Sequence, residues 1–504
     1  MTGMPLAGRR LAAAMTTELA GRLRSHLRRQ DGQEDLCFVL WRPSTGAART
    51  TAVVAEAIWP SAGERLISGN VAFTSQYFLR AAARAAVAGA GLGLVHSHPG
   101  GRGWQGLSRD VHAAEAGHAA QAAVMTGLPL LGLTYATGDD SYSARLWERA
   151  LPRHYTPAWC ENVRVVGDWI HVSWNSQLRP APQFRPIQER TVSAWGPAVQ
   201  ANLARLHIGI IGAGSVGAIV AEALARVGVE WLTVMDFDSV QAVNLDRLLH
   251  ASLRDVRLAR AKVETLARAL RRSATAARPR IETLELSVAE SAGLAAALDC
   301  DVLFSCVDRP WPRAVLNMAA YAHLVPVVDG GILIRGQHGQ RLAGAEWRSH
   351  LAAPGRACLE CLGQYDPAVV TVERAGLLDD PSYLAGLDED HPVRRNENVF
   401  PFSAAAAASE TLQLLSAVIA PGGVGDTGAH LYHFATGTLD RRIDGCQPGC
   451  PYTESLTGLA DMQPFHVTGE HLAVDAVRAS RRRDQKRPTT RIARRLDDLL
   501  WRLL

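Results

Sequence analysis

Apolar and polar positions along the first 150 residues fall into short blocks, each with its own period. Leu and Ala recur at helical spacing through 11–29, which predicts a first helix. The apolar runs 36–41 and 51–58 flank Pro43-Ser44-Thr45-Gly46 and read as two strands around a turn. A helix near 76–89, a short buried strand over 91–96, and strands over 128–135 and 141–147 complete an α+β pattern that ends near residue 150. The segment 151–187 is richer in Pro and Trp, with one strand-like run at 163–174, and predicts a linker with some structure. From residue 208 the period changes. A strand over 208–211, a Gly-rich turn, an Ala-rich helix over 215–227 and a strand over 231–235 make a βαβ unit. Further strands at 280–286, 302–306 and 325–329 alternate with helices, as a doubly wound parallel sheet requires.

Composition adds bounds. A chain of 504 residues predicts two or three domains, and 47% apolar with 20% charged residues is ordinary for a globular protein. A net charge of +4 is too small to suggest nucleic acid as a partner. Basic residues gather in the tail 461–504, most densely after Arg478, and read as a solvated helix face. No apolar run of about 18 residues stands out, so no membrane span is expected. The Arg-rich stretch 9–29 lacks the apolar core and cleavage site of a secretory signal, so a cytoplasmic location is expected. Of the eight cysteines, two pairs stand close together, Cys358 with Cys361 and Cys446 with Cys450, and such pairs read as metal ligands.

Two groups of residues carry chemistry. The first is His96-Ser97-His98-Pro99. Alternate residues of a strand point to one side, so both imidazoles can face one ion. Catalytic zinc takes about three protein ligands and keeps a position open, and a carboxylate must move the proton. Ser108 and Asp110 follow in a Gly-rich stretch that can fold back toward the pair. With Glu34 ahead of the first strand, this constellation resembles the JAMM/MPN metalloproteases, which cleave isopeptide or peptide bonds after ubiquitin-like proteins. The resemblance implies an α+β domain over 1–150. It implies Zn2+ on His96, His98 and Asp110, Glu34 as general base and Ser108 at the oxyanion. Asp110 stands two residues after Ser108, where the family has three, and His112 is a substitute ligand.

The second group is Gly212-Ala213-Gly214-Ser215-Val216-Gly217, between an apolar strand and a helix. Its glycines allow a tight turn and close approach of backbone amides to phosphate, and Asp236 at the end of the next strand suits a ribose. A dinucleotide-dependent oxidoreductase would satisfy that much. The continuation through Asp236-Phe237-Asp238, Asn244-Leu245-Asp246-Arg247, Lys262 and Cys306-Val307-Asp308 instead resembles the ThiF-like and ubiquitin-activating adenylyltransferases. Those enzymes couple ATP to the C-terminal glycine of a ubiquitin-fold protein.

The resemblance spans 188–460 and implies a Rossmann-like domain. Gly212, Gly214 and Gly217 would line the phosphate turn and Asp236 would hold the ribose beside Asp238. Asn244, Arg247 and Lys262 would contact phosphate, and Asp308 would hold Mg2+. Arg190 matches the arginine that reaches the nucleotide, often across a dimer. The family's zinc clamp falls on Cys358, Cys361, Cys446 and Cys450.

Many relatives of this kind pass the acyl group to their own cysteine between the two zinc pairs. Residues 362–443 contain none. Cys306 is expected in the core, and Ser403 is a remote candidate for an oxyester. The sequence therefore predicts an enzyme that stops at the acyl-adenylate. Its acceptor would be a sulfur donor or a separate carrier enzyme with a catalytic cysteine. Taken together, the two halves suggest processing and activation of one ubiquitin-like modifier or sulfur carrier, by a chain that pairs as a homodimer. A non-catalytic, modifier-binding scaffold is the alternative. Such fusions occur in bacterial ubiquitin-like systems, some tied to phage defence, although these residues carry nothing about the pathway.

Overall fold

In the computed structural model, residues 8–68, 70–151, 154–336, 342–386 and 397–503 are described. Arg395 and Asn396, part of the segment before Ser403, lie outside them.

The N-terminal half is built on one nine-stranded sheet. Its strands are β1 (Arg10–Thr16), β2 (Leu36–Thr45), β3 (Arg49–Ile58), β6 (Gly91–His98), β7 (Leu131–Ala136), β8 (Ser141–Leu151), β9 (His154–Trp159), β10 (Asn162–Val166) and β11 (Ile170–Trp174). A separate hairpin joins β4 (Arg65–Ser68) to β5 (Asn70–Phe73). The sheet order is β11-β10-β1-β3-β2-β6-β7-β8-β9. Helices α1 (Thr17–Leu27), α2 (Ser75–Val87) and α3 (Arg109–Thr126) pack on it.

Two expectations are corrected here. The run 11–29 is not one helix. Leu11 to Met15 form β1, parallel to both β3 and β10, and the helix starts only at Thr17, capped by the Thr16 hydroxyl. Ala12, Ala13, Ala14 and Met15 are wholly buried, and a run buried on both faces shows no strand period. Nor is 151–187 chiefly a linker. It supplies β9, β10 and β11, and β10 is the direct partner of β1.

The C-terminal half holds an eight-stranded sheet, ordered β14-β13-β12-β15-β16-β17-β18-β19. The parallel part comprises β12 (His207–Ile211), β13 (Trp231–Met235), β14 (Arg280–Leu284), β15 (Val302–Ser305) and β16 (Val327–Gly336). The antiparallel extension is β17 (Leu342–Ala352), β18 (Ala429–His433) and β19 (Thr438–Arg442). Ahead of the sheet come α4 (Glu189–Trp195) and α5 (Pro197–Arg205). Between strands lie α6 (Ser215–Val227), α7 (Leu253–Arg257), α8 (Lys262–Ser273), α9 (Ser291–Ala297), α10 (Pro310–Ala322), α11 (Pro367–Arg374), α12 (Pro381–Ala385) and α13 (Phe400–Ile419). Strand order reverses between β12 and β15, which opens a crevice at their C-terminal ends, where open α/β sheets take ligands.

Helix α13 is long and apolar enough to cross a membrane, contrary to the sequence expectation, but here it packs on α6, β16 and β17. The basic tail forms α14 (Leu472–Lys486) and α15 (Pro488–Leu503), which turn back onto the C-terminal half.

The halves meet through buried charge. Asp301, just before β15, receives Arg49 Nη1 at 2.6 Å and Arg164 Nη1 at 2.8 Å, and both arginines are fully buried. Asp299 accepts the backbone amides of Ala48 and Arg49.

Candidate functional site

The crevice of the C-terminal sheet starts at Gly212, whose φ of +100° and tight surroundings exclude a side chain: a Cβ there would stand 2.3 Å from the Cys306 carbonyl oxygen. At Gly217 a Cβ would stand 1.9 Å from the Gly212 oxygen. These glycines let the loop fold tightly across the end of β15. Helix α6 then begins at Gly214 with no side-chain cap and no acid in its first turn, so its leading N–H groups remain free for an anion.

Asp236 ends β13 and ties the loop together. Its Oδ2 accepts the Ala213 amide at 2.8 Å and its Oδ1 the Asp238 amide at 2.7 Å. Burial raises the Asp236 pKa, against the pull of Lys262. Lys262 opens α8 and donates Nζ to Asp238 Oδ2 at 2.7 Å, while its backbone amide bonds the Asp238 carbonyl. Burial would lower the Lys262 pKa, but the carboxylates of Asp236, Asp238 and Asp308 outweigh it and raise the value. The ammonium therefore stays charged beside the glycine turn.

The structure thus gathers Gly212, Gly214, Gly217, Asp236, Asp238, Lys262 and Asp308 at one crevice. Asn244 and Arg247 occupy the short turn after β13 and engage that turn: Asn244 Oδ1 accepts the Gln241 amide, and Arg247 Nη1 donates to the Val243 carbonyl. Arg190 is exposed on α4.

One contact had no sequence signal. Asn398 Nδ2 donates to Ser215 Oγ at 2.9 Å, which fastens the segment ahead of α13 onto the glycine turn. Ser403 is fully buried and donates its hydroxyl to Asn398 Oδ1 at 2.8 Å, so it serves packing rather than acyl chemistry. Cys306 lies 3.7 Å from Glu410 Oε2, and burial together with that carboxyl pushes its thiol pKa well up. Neither residue is a poised nucleophile.

The four sequence-predicted cysteines come together, all ligand atoms within 4.8 Å of one another. Cys358 Sγ and Cys450 Sγ are 3.8 Å apart, as two thiolates on one tetrahedral zinc would be with Zn–S bonds of about 2.3 Å. Backbone amides of Cys358 and Cys361 point at Cys446 Sγ and Cys358 Sγ, a donor set that stabilises thiolate. The quartet fits a structural zinc ion.

The N-terminal group is less complete. His96 Nε2 and His98 Nε2 are 3.2 Å apart on β6, close to the roughly 3.3 Å between two nitrogens sharing a tetrahedral zinc. His98 Nδ1 faces Gln105 Oε1 at 3.2 Å, and burial, with Arg145 nearby, holds the His96 pKa well below its usual value. Glu34 is half-buried near His98, and burial raises its pKa. The expected third ligand does not join them. Asp110 lies exposed in the first turn of α3, His112 is exposed beside Trp147, and Ser108 spends its hydroxyl capping the Val111 amide. Among the described residues, only the cysteine quartet brings three or more His, Cys, Asp or Glu ligand atoms within 4.8 Å. The cause is local: a helix N-cap preference claims Ser108 and sets where Asp110 points.

Comparison with known proteins agrees with the C-terminal geometry. Residues 188–430 match the ThiF family. Molybdopterin-synthase adenylyltransferase of Escherichia coli K12 is 30% identical over 171 residues, covering 34% of this chain and 64% of that protein. Ubiquitin-like modifier-activating enzyme 5 of Drosophila grimshawi is 30% identical over 122 residues, covering 22% and 30%. The crystal structure of E. coli MccB with ATP superposes with a TM-score of 0.42 at 16% identity, covering 53% of this chain and 74% of that one. The chain spans less than two thirds of the length of these curated relatives.

Proposed function

We propose, taking residues 188–430 as the ThiF-family domain they match, that this chain uses ATP to adenylate the C-terminal carboxylate of a ubiquitin-like or sulfur-carrier protein. The observation that carries the reading is Lys262 held charged by Asp236 and Asp238 beside a glycine turn with free helix amides. In such a site the carrier's carboxylate oxygen attacks the α-phosphorus, the bond to the α–β bridging oxygen breaks, and pyrophosphate leaves with that electron pair. The amides of α6 and the Lys262 ammonium stabilise the charge gathered on phosphate. Asp308 would hold Mg2+, which neutralises the departing pyrophosphate.

With Ser403 buried and Cys306 half-buried against Glu410, the acyl-adenylate passes to an external sulfur donor or carrier cysteine. Arg190, exposed on α4, is free to reach the nucleotide of a second copy in a homodimer.

For the N-terminal domain we propose trimming or release of the same modifier, for which His96 and His98 would supply two ligands of a zinc ion and Glu34 would carry the proton. The solvent-facing Asp110 and the capping role of Ser108 favour a second reading, in which this domain binds the modifier without cutting it.

The adenylation reading is tested by ATP–pyrophosphate exchange with ubiquitin-fold proteins that end in glycine, together with calorimetric titration of Mg-ATP and NAD. Exchange and ATP binding that fall at least about 100-fold in Lys262→Ala are expected, the loss of one charged phosphate contact being worth about 3 kcal/mol. Preferential NAD binding would sink it.

A further inference from the structure

The wall of the nucleotide crevice that carries Asp238 and Lys262 is a long excursion from β13 to α8, bonded within its turns and closed at its base. Ser239 bridges Ala261, the Val240 amide bonds the Arg260 carbonyl, and the Lys262 amide bonds the Asp238 carbonyl. Ala259, three residues before Lys262, adopts a left-handed φ of +46° without being glycine. It follows the C-cap of α7, where the Ala259 amide bonds the Val256 carbonyl and the Arg260 amide the Asp255 carbonyl, a Schellman-type helix ending.

The C-terminal helices, outside the span 188–430, add hydrogen bonds to the carbonyls of this ending. Gln485 Nε2 donates to the Ala259 carbonyl at 2.9 Å, and Arg494 Nη1 to the Leu258 carbonyl at 3.1 Å. Arg481, only 4% exposed, donates Nη1 to the Phe237 carbonyl at 2.7 Å, between Asp236 and Asp238, and pairs with Glu285. Asp497 binds Arg254, Arg260 and Arg268 on both sides of the turn. On α15, Ile492, Leu496 and Leu499 are each more than half exposed. Among the described residues, Arg481, Gln485 and Arg494 dock on backbone carbonyls of the crevice wall and Asp497 docks on its arginines.

We infer that α14 and α15 are a brace for the nucleoside triphosphate site, and that Arg481 and Gln485 are positioning residues that hold the Asp238–Lys262 wall through Phe237 and Ala259. The inference rests on the adenylation reading for its ligand, while the brace itself can be measured without it.

The test uses the full chain with Arg481→Ala and Gln485→Ala combined, and Arg482→Ala on the exposed face as control. Mg-ATP affinity by calorimetry is expected to weaken about tenfold in the double variant and to hold in the control. Unchanged affinity in the double variant overturns the positioning role. Hydrogen exchange over 237–239 and 258–262 separates the two claims. Faster exchange in the double variant supports the brace even where the parent binds no ATP, an outcome that would sink only the adenylation reading. Unchanged exchange overturns the brace.

Discussion

Asp301 is a carboxylate with no solvent, facing two guanidinium groups from the other half of the chain. Burial alone would raise its pKa, but Arg49 and Arg164 outweigh burial and hold it well below the usual 3.8. A depressed folded-state value means this stabilisation is in place above about pH 4 and is lost as pH falls further. Removing the charge leaves two buried arginines uncompensated, so Asp301→Asn should cost about 3–5 kcal/mol in urea unfolding at pH 7. A cost below about 1 kcal/mol would mean the cluster is hydrated.

Glu373 shows the opposite sign. Burial pushes its pKa from 4.5 up to about 7, while the Trp311 amide it accepts pulls the other way. The folded state therefore holds the proton more tightly than the unfolded chain, and stability declines as pH rises from 4.5 through 7. Glu373→Gln should gain on the parent across that window, by up to about 3 kcal/mol at pH 8. Parallel pH profiles for the two proteins would contradict the assignment.

At the scale of elements, the cysteine quartet joins two distant loops. The first pair follows β17 and the second follows β19, and Arg356, two residues before Cys358, reaches into the N-terminal sheet. Its guanidinium donates to the Gly167 and Asp168 carbonyls at the turn between β10 and β11, and also to the Gly425 carbonyl. The zinc clamp and the domain contact are thus one construction. Elemental analysis should find one zinc per chain that persists in His96→Ala/His98→Ala and disappears in Cys361→Ser. A second zinc lost with the histidines would show that Asp110 or another donor completes the N-terminal site on binding metal. No zinc at all in the parent would leave the quartet as reduced thiols.

On the scale of the whole molecule, the two halves share so much buried polar contact that they should unfold together. Arg49, Arg164, Asp299 and Asp301 lie within the interface, as does His323, whose Nδ1 meets Ser44 Oγ at 2.9 Å. A chain lacking residues 1–174 would lose Ile170 and Trp174 from the apolar core of the C-terminal half, and Asp301 would lose both of its arginines. Calorimetry should show one transition for the full chain, and the truncated chain should melt lower by roughly 10 °C or more, since losing large apolar side chains from a core costs several kcal/mol. Two well-separated transitions in the full chain would refute the coupling. Such a join would hold the histidine pair and the nucleotide crevice at a constant separation, and a carrier would have to travel between them.

What the amino-acid order determined by itself is local. The glycine turn, the acid at the end of β13, Lys262 and the cysteine pairs were legible because each is a short motif whose chemistry needs those residues at those spacings, while Asn244 and Arg247 bond their own turn and Arg190 faces solvent. The strand–helix alternation of the C-terminal half was legible for the same reason. Tertiary structure decided what depends on distant partners. Leu11 to Met15 became a central strand because β3 and β10 flank it, and a wholly buried run has no period to betray that. Residues 151–174 became sheet because β1 needed an outer neighbour. Ser108 became a helix cap, which turned Asp110 to solvent. The basic tail became a set of ligands for backbone carbonyls more than 200 residues away, a pairing that no periodicity or composition encodes, because hydrogen bonds to carbonyls place no demand on the sequence that carries them.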